Sequence, residues 1–354
     1  MTETPLSDEL RTILAELQLQ SKPGDLQRRI ALYARSLELL RREQQPTLWA
    51  TLHVGYGINL LQNPHGERAD NIEQAIQHYQ QALTVYSFTD FRERWAAILN
   101  NLANAYRNRI RGERSTNLEQ AISYFQQALS VYTKTEFPEQ WGITQNNLAN
   151  AYRKRIQGQL AKNLEQAIDH YQQALTVRTY AKAPADWAMT HNNLANVYAS
   201  RISGERADNI EQAIQHGQQA LSVYTPTNFP NDWALAQNNL AVAYRERIHG
   251  ERAANIEQSI EHCQQALTVY TRTNFLERWA GMQNNLAMAY RNRVEGDAGT
   301  NIEEAIQHYQ LALTVYTRSG FPADWATTQS NLANAYRNRV EGDAGTNIEE
   351  AIQH

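Results

Sequence analysis

Three sets of residues in this chain belong to types that do chemistry. Histidines recur at His78, His170, His216, His262 and His308, a single thiol stands at Cys263, and asparagines and arginines recur in a block that reads Asn146-Asn147-Leu148-Ala149-Asn150-Ala151-Tyr152-Arg153 in one copy. A metal would need its nitrogens about 2.1 Å from one ion. Equivalent histidines of successive copies stand at least a helix diameter apart, so the column cannot share one. Cys263 falls on an apolar helical stripe and is expected to be buried and inert. The sequence contains no nucleophile–base pair, no zinc spacing and no phosphate loop, so no catalytic residue, metal or cofactor is expected and the chain is read as non-enzymatic.

That leaves the polar block. Asparagine inside a helix costs about 0.5 kcal/mol or more against alanine, yet Asn100, Asn146, Asn192, Asn238 and Asn284 recur, as do Asn101, Asn147, Asn193, Asn239, Asn285 and Asn331. On a helical wheel Asn146, Asn150 and Arg153 share a sector of roughly 60° beside the apolar stripe. Packing does not account for them. Copying does offer an account: residues 291–308 and 337–354 are identical, so recent duplication alone would preserve such residues.

The elements that position these residues follow from a repeat. Trp49, Trp95, Trp141, Trp187, Trp233, Trp279 and Trp325 are spaced 46 apart throughout, and a fixed period in this range marks a repeat array. Each copy opens on Phe-Pro or a near relative, as at Phe137-Pro138, where proline suits the first helical turn. Leu148, Ala149, Tyr152 and Ile156 then form a core-facing stripe. The expected first helix is roughly 19 residues, or about 28 Å, ended by Gly158 in a left-handed C′ conformation. Gly66, Gly112, Gly204, Gly250, Gly296 and Gly342 repeat it. Asn163 is the expected N-cap of a shorter second helix, with Asn71, Asn117, Asn209, Asn255, Asn301 and Asn347 as its counterparts. That helix buries Leu164, Ala167, Ile168, Tyr171, Ala174, Leu175 and Val177. Residues 1–45 form a diverged capping helix pair, with helices after Ser7 and Asp25, and residues 46–354 the array, which breaks off inside its last pair. An array should end in a cap with a polar outer face, so the natural protein is expected to continue past His354.

Composition narrows the function. A formal net charge of -4 and a pI near 6.2 argue against nucleic-acid binding, which calls for a basic chain. Most basic residues are arginines, which suit planar bidentate contacts. One cysteine permits no internal disulfide, the acidic N-terminus is no signal peptide, and no apolar run approaches the roughly 18 residues of a membrane span. A cytoplasmic protein with no membrane association is expected.

Leu148-Ala149-x-x-Tyr152, followed by Ala167-x-x-x-Tyr171-x-x-Ala174, resembles the tetratricopeptide repeat (TPR) over residues 46–346, and loosely over 7–41. The period exceeds the usual length of about 34, and Gln145 stands at the family's tryptophan position. Long copies of this kind look like bacterial, especially cyanobacterial, arrays that precede a caspase-like CHAT peptidase domain, and the Asn-Asn-Leu-Ala core is also similar to kinesin light chain repeats. The resemblance implies an all-α fold, a right-handed superhelical α-solenoid of antiparallel helix pairs, with first helices lining a concave groove. Its ligand-facing positions carry over to Asn100, Asn104 and Arg107; Asn146, Asn150, Arg153 and Lys154; Asn192 and Asn196; Asn238 and Arg245; Asn284 and Arg291; and Asn334 and Arg337. The implied function is a scaffold in which asparagines bond the backbone of an extended protein or peptide segment and arginines meet its acidic side chains. The alternative is a sensor array regulating a downstream effector enzyme in a larger protein.

Asn147 and its counterparts are expected to bond between repeats. Arg109, Arg155, Arg201, Arg247, Arg293 and Arg339 are expected to pack along a neighbouring helix with their heads near Glu119 and its equivalents. Val242 and Met288 replace groove asparagines, and Gly217 and Cys263 replace a buried aromatic. Together these suggest an apolar pocket for a hydrophobic anchor, against the plainer reading of neutral drift in an overstable array.

Overall fold

A computed structural model describes residues 5–19, 24–339 and 349–352. The chain divides into two compact units, residues 1–177 and 178–354. The first contains α1 (Asp8–Gln18), α2 (Leu26–Leu39), α3 (Pro46–Gln62), α4 (Arg68–Leu83), α5 (Arg92–Asn108), α6 (Arg114–Leu129), α7 (Pro138–Arg153) and α8 (Leu160–Leu175). The second contains α9 (Pro184–Ser200), α10 (Arg206–Leu221), α11 (Pro230–Glu246), α12 (Arg252–Leu267), α13 (Leu276–Arg291), α14 (Ala298–Leu313) and α15 (Pro322–Arg337). No strand occurs among the described residues. Each unit is an all-α solenoid stack in which first and second helices alternate, every helix packing on the next within the unit. First helices of adjacent pairs also touch, as α5 does α7 and α11 does α13.

The stripes account for the stacking. In the α7/α8 pair, Leu148, Ala149, Ala151, Ala167, Tyr171 and Ala174 have lost essentially all their exposure. The alanines let helix axes approach, while each buried leucine is worth about 1.5–3 kcal/mol over leaving it in water. Since neither helix covers its own stripe, stability resides in contacts between neighbours. Ser7 caps α1, its side chain accepting from Leu10 N–H at 3.2 Å.

Three details differ from expectation. The first helix is shorter, 16 residues in α7, and Ile156 lies beyond it with 59% of its surface exposed, as do Ile110, Ile202, Ile248 and Val294 at similar values. Gly158 is left-handed at φ 82°, but it turns the loop into α8 instead of ending α7, whose cap is Lys154. Asn163 sits inside α8, buried, because that helix begins three residues earlier behind Gln159. Its Nδ2 donates to the Gln157 carbonyl at 2.8 Å, so it pins the loop. Asn71, Asn117, Asn209, Asn255 and Asn301 bond their loops in the same way at 2.8–2.9 Å. Gly342 and Asn347 lie outside the described residues.

Candidate binding face on the first helices

Packing of successive first helices decides which polar residues remain available. Asn146 and Asn192 are buried, while Asn100, Asn238 and Asn284 are half-buried. Asn192 Oδ1 accepts from Asn239 Nδ2 at 2.9 Å, and Asn238 Oδ1 from Asn285 Nδ2 at 2.8 Å. Asn100 Oδ1 accepts from the Thr144 hydroxyl at 3.3 Å, and Asn284 Oδ1 from that of Thr328 at 3.4 Å. The bonds from Asn239 and Asn285 link repeats, as expected for that flank. Their acceptors, however, are the residues carried over as ligand-facing, so in these four the side-chain oxygen serves the stack.

The next asparagines spend their donors locally. Asn104, Asn150 and Asn334 donate Nδ2 to the carbonyls of Asn100, Asn146 and Ser330 one turn back, at 2.9–3.0 Å, and Asn150 Oδ1 accepts from the Tyr171 hydroxyl at 2.9 Å. Asn196 is half-buried on α9. An asparagine ladder offering both halves of each amide to a ligand backbone is therefore not what the geometry provides. The arginines fare otherwise. Arg107, Arg153, Arg245 and Arg291 are half-buried in the last turns of α5, α7, α11 and α13, and Arg337 is exposed. Arg107 Nε is buried without a hydrogen-bond partner, and burial, reinforced by Arg153 and Arg114, pushes its guanidinium below its ordinary range.

Each unit also has a cleft between first helices. In the second unit it encloses about 330 Å³ lined by Leu235, Asn238, Tyr270, Gly281, Asn285 and Tyr316. In the first unit the matching cleft holds about 220 Å³, with Thr51, Tyr86, Arg94 and Ile98 in its wall. Arg278 and Arg94 each bond the tyrosine hydroxyl beside them, Tyr270 at 2.8 Å and Tyr86 at 2.5 Å. Asn238 thus lines a cleft, but Val242 and Met288 are not among the residues that do. Met288 packs on the cluster around Ala287, Ile302 and Ile306, and Val242 is half-buried. Cys263 packs among Ile256, Ile260 and Met282. At Gly217 an added Cβ would lie 2.8 Å from Leu240 Cδ2, so a neighbouring side chain has taken the space of the missing aromatic.

The arginines that follow the groove set lock the stack together. Arg155 grips the Glu119 carboxylate through Nε at 2.7 Å and Nη2 at 2.8 Å. Arg109 does the same to Glu73, Arg247 to Glu211, Arg293 to Glu257 and Arg339 to Glu303. Each guanidinium also lies over a tyrosine of its own repeat, Tyr152 in the case of Arg155 at 5.7 Å.

The tetratricopeptide repeat family matches residues 95–136, and the Sel1 repeat matches residues 54–84, 143–176, 234–268 and 280–314. The chain carries tetratricopeptide and Sel1 repeats. Among solved structures it is similar to BtubC (BKLC) from P. vanneervenii, at 18% identity and a TM-score of 0.51, over 71% of this chain and 92% of that one. It is also similar to the APC/C hetero-tetramer Cut9–Hcn1, at 17% and 0.58 over 94% and 49%. A third likeness is to a signal transduction ATPase with numerous domains (STAND) that has a tetratricopeptide repeat sensor, from Pyrococcus horikoshii, at 15% and 0.62 over 98% and 46%. These are likenesses of fold, and the chain spans about half the length of the latter two. No curated protein matches the sequence.

Two features of the helix pairs escaped the sequence reading. His53 and His78 approach with their Nδ1 atoms 2.7 Å apart, and His191 and His216 repeat that distance. Burial pushes all four imidazoles down to about 4. Elsewhere the partner is glutamine: Gln145 Oε1 meets His170 Nδ1 at 2.6 Å. The legible signal was a histidine 25 residues ahead of another, in two copies. The second feature is Arg178, which stands where Tyr86, Tyr132, Tyr224, Tyr270 and Tyr316 do in other copies. It is buried and pairs with Asp186 at 2.8 Å. No group of three or more metal-ligating side chains occurs among the described residues, and no helix among them is long and apolar enough to cross a membrane.

Proposed function

We propose that this chain is a non-enzymatic scaffold whose first-helix faces hold extended, acidic segments of a protein partner. TPR and Sel1 repeats mediate protein–protein interaction as a class. The observation that carries the finer reading is the row of arginines at matching places on successive first helices, Arg107 and Arg153 in one unit and Arg245 and Arg291 in the other, with Arg107 Nε buried and unbonded. Arginine retains its charge when half-buried and matches carboxylates bidentately. In this reading the arginines hold the ligand, the clefts receive its side chains, and the asparagines mostly set the surface.

The test is equilibrium binding of acidic, neutral and basic peptides to the purified chain and to a variant carrying Arg107→Glu and Arg153→Glu. Acidic peptides should bind the wild type best, and at least about 10-fold more weakly to the variant, a loss of about 1.4 kcal/mol. Equal binding by both proteins, or a preference for basic peptides, would overturn the reading. The second reading, a sensor array in a larger protein with an effector domain such as a CHAT-type peptidase, is favoured by the likeness to a STAND protein with a tetratricopeptide repeat sensor. It predicts an effector reading frame continuous with this one, and an immediate stop codon after His354 would remove it.

A further inference from the structure

The last turn of a first helix leaves carbonyls without helical partners, and the arginine that opens the following helix reaches back to one of them. Arg114 donates Nη1 to the Arg107 carbonyl, and Arg206 in the other unit donates to the Ala199 carbonyl. Arg206 also uses its second nitrogen: Nη2 binds the Glu246 carboxylate, 40 residues onward. The residue at that same remove from Arg114 is Lys154. One register therefore holds an ion pair in the second unit and two cations in the first.

Two more cations join them. Burial, and after it the charges of Arg153, Arg107 and Arg114, hold the Lys154 ammonium below the usual lysine range. On Arg107 burial acts first, opposed by the Tyr171 hydroxyl and reinforced by Arg153 and Arg114. No carboxylate is among them. The Tyr171 hydroxyl, anchored on Asn150 at 2.9 Å, stands beside both Arg153 and Arg107, and Arg107 Nε is buried with no bond made. Like charges gathered in one register oppose folding, and position 154 could have avoided the cost with the glutamate used at 246 or the asparagine used at 108.

We propose that Arg107, Arg114, Arg153 and Lys154 form a site for a phosphate-type dianion, supplied by a phosphorylated side chain on the segment bound to this unit. The source rests on the acidic-segment reading above; the anion site rests on the four cations alone. A carboxylate brings one charge and two oxygens, whereas a phosphate monoester brings about -1.5 to -2 and three acceptors. The phosphate thus better offsets four positive charges and serves several guanidinium forks along with an ammonium.

Two measurements on the full chain at fixed ionic strength test this. Inorganic phosphate, followed by calorimetric titration, should bind saturably, at least about 10-fold more weakly to Lys154→Glu, with Lys154→Asn between. Lys154→Glu should also slow hydrogen exchange in α6 and α7, since its carboxylate can pair with Arg114 as Glu246 pairs with Arg206, so its lost binding cannot be attributed to unfolding. Phosphate binding unchanged in Lys154→Glu would overturn the site. An acidic peptide carrying one phosphoserine should bind at least about 10-fold tighter than its glutamate form, and Lys154→Glu should erase that preference. Equal binding of the two peptides to the wild type would overturn the dianion assignment while leaving the acidic-segment reading standing. If neither peptide bound while inorganic phosphate still did, the segment reading would fail and the anion site would survive.

Discussion

Removing the Arg109–Glu73 lock should loosen one seam of the stack by a calculable amount. Arg109 Nε and Nη2 reach the two carboxylate oxygens at 2.7 and 2.8 Å, with 28% and 19% of the two side chains exposed. Hydrogen bonds to charged groups contribute about 1.5–3 kcal/mol each when well shielded, and exposed ion pairs about 0.2–1. A partly shielded bidentate pair should fall between, at about 1–2 kcal/mol of coupling. A double-mutant cycle of Arg109→Ala and Glu73→Ala isolates that figure from the lost stacking on Tyr106. Whole-chain melting is the wrong assay, since a repeat array opens locally. Hydrogen exchange in α4 and α5 reads the seam directly, and the coupling should appear as a change of about 5- to 30-fold in opening. The same cycle on Arg92–Glu136, about half exposed on both sides, should give less than about 0.5 kcal/mol. The Arg109 guanidinium holds the Glu73 carboxyl below its ordinary range. Its stabilisation is therefore present above that range and is lost as pH falls through the lowered value. Coupling below about 0.5 kcal/mol at both pairs, or coupling that grows on acidification, would refute the reasoning.

Three further outcomes are expected. Because burial holds His53 and His78 near 4 while free histidine titrates near about 6.5, the unfolded chain binds more protons between those values and stability falls as pH drops through them; His53→Gln, which installs the Gln145–His170 arrangement, should flatten that slope in the exchange protection of α3 and α4 once the intrinsic pH dependence of exchange is removed, and an unchanged slope would count against it. The Cys263 thiol, pushed up to about 12 by burial, should resist alkylation until the chain unfolds, so rapid labelling of the native protein would place it wrongly. Asn163→Ala removes the buried amide's bond to the Gln157 carbonyl of an otherwise exposed loop and should cost about 0.5–1.5 kcal/mol, with faster exchange confined to residues near 157–163; exchange unchanged there would show that the loop does not need its pin.

The helix pairs were legible because tryptophan, glycine and the alanine–tyrosine stripe recur at one period, and packing alone dictates such residues. Arg155 meeting Glu119 was legible for the same reason, a charge flanking a stripe that must face a neighbour. The orientation of the asparagines was not. A wheel places Asn146, Asn150 and Arg153 in one sector, but whether that sector faces a ligand or the next first helix depends on how closely the axes approach, which the wheel does not contain. Asn163 was misassigned for another reason: an asparagine before an apolar run looks like a cap, yet the helix starts behind Gln159, a residue with weak capping preference. Ile156 is apolar and in phase with the stripe, but its helix has already ended.

The arginine–glutamate locks all span 36 residues, and that span does not grow with the number of repeats. The chain entropy lost in closing a contact rises with the length of the loop closed, and folding speed follows the mean sequence separation of contacts. A longer array of this design lowers its relative contact order with every added copy, because each new copy makes only short-range bargains with the one before it. Nucleation can begin at any pair and spread in both directions, and no segment has to wait for a distant partner. A chain built this way can gain or lose a whole period in one duplication or deletion without acquiring a slower folding step, which is the kinetic condition under which identical stretches such as 291–308 and 337–354 can be added.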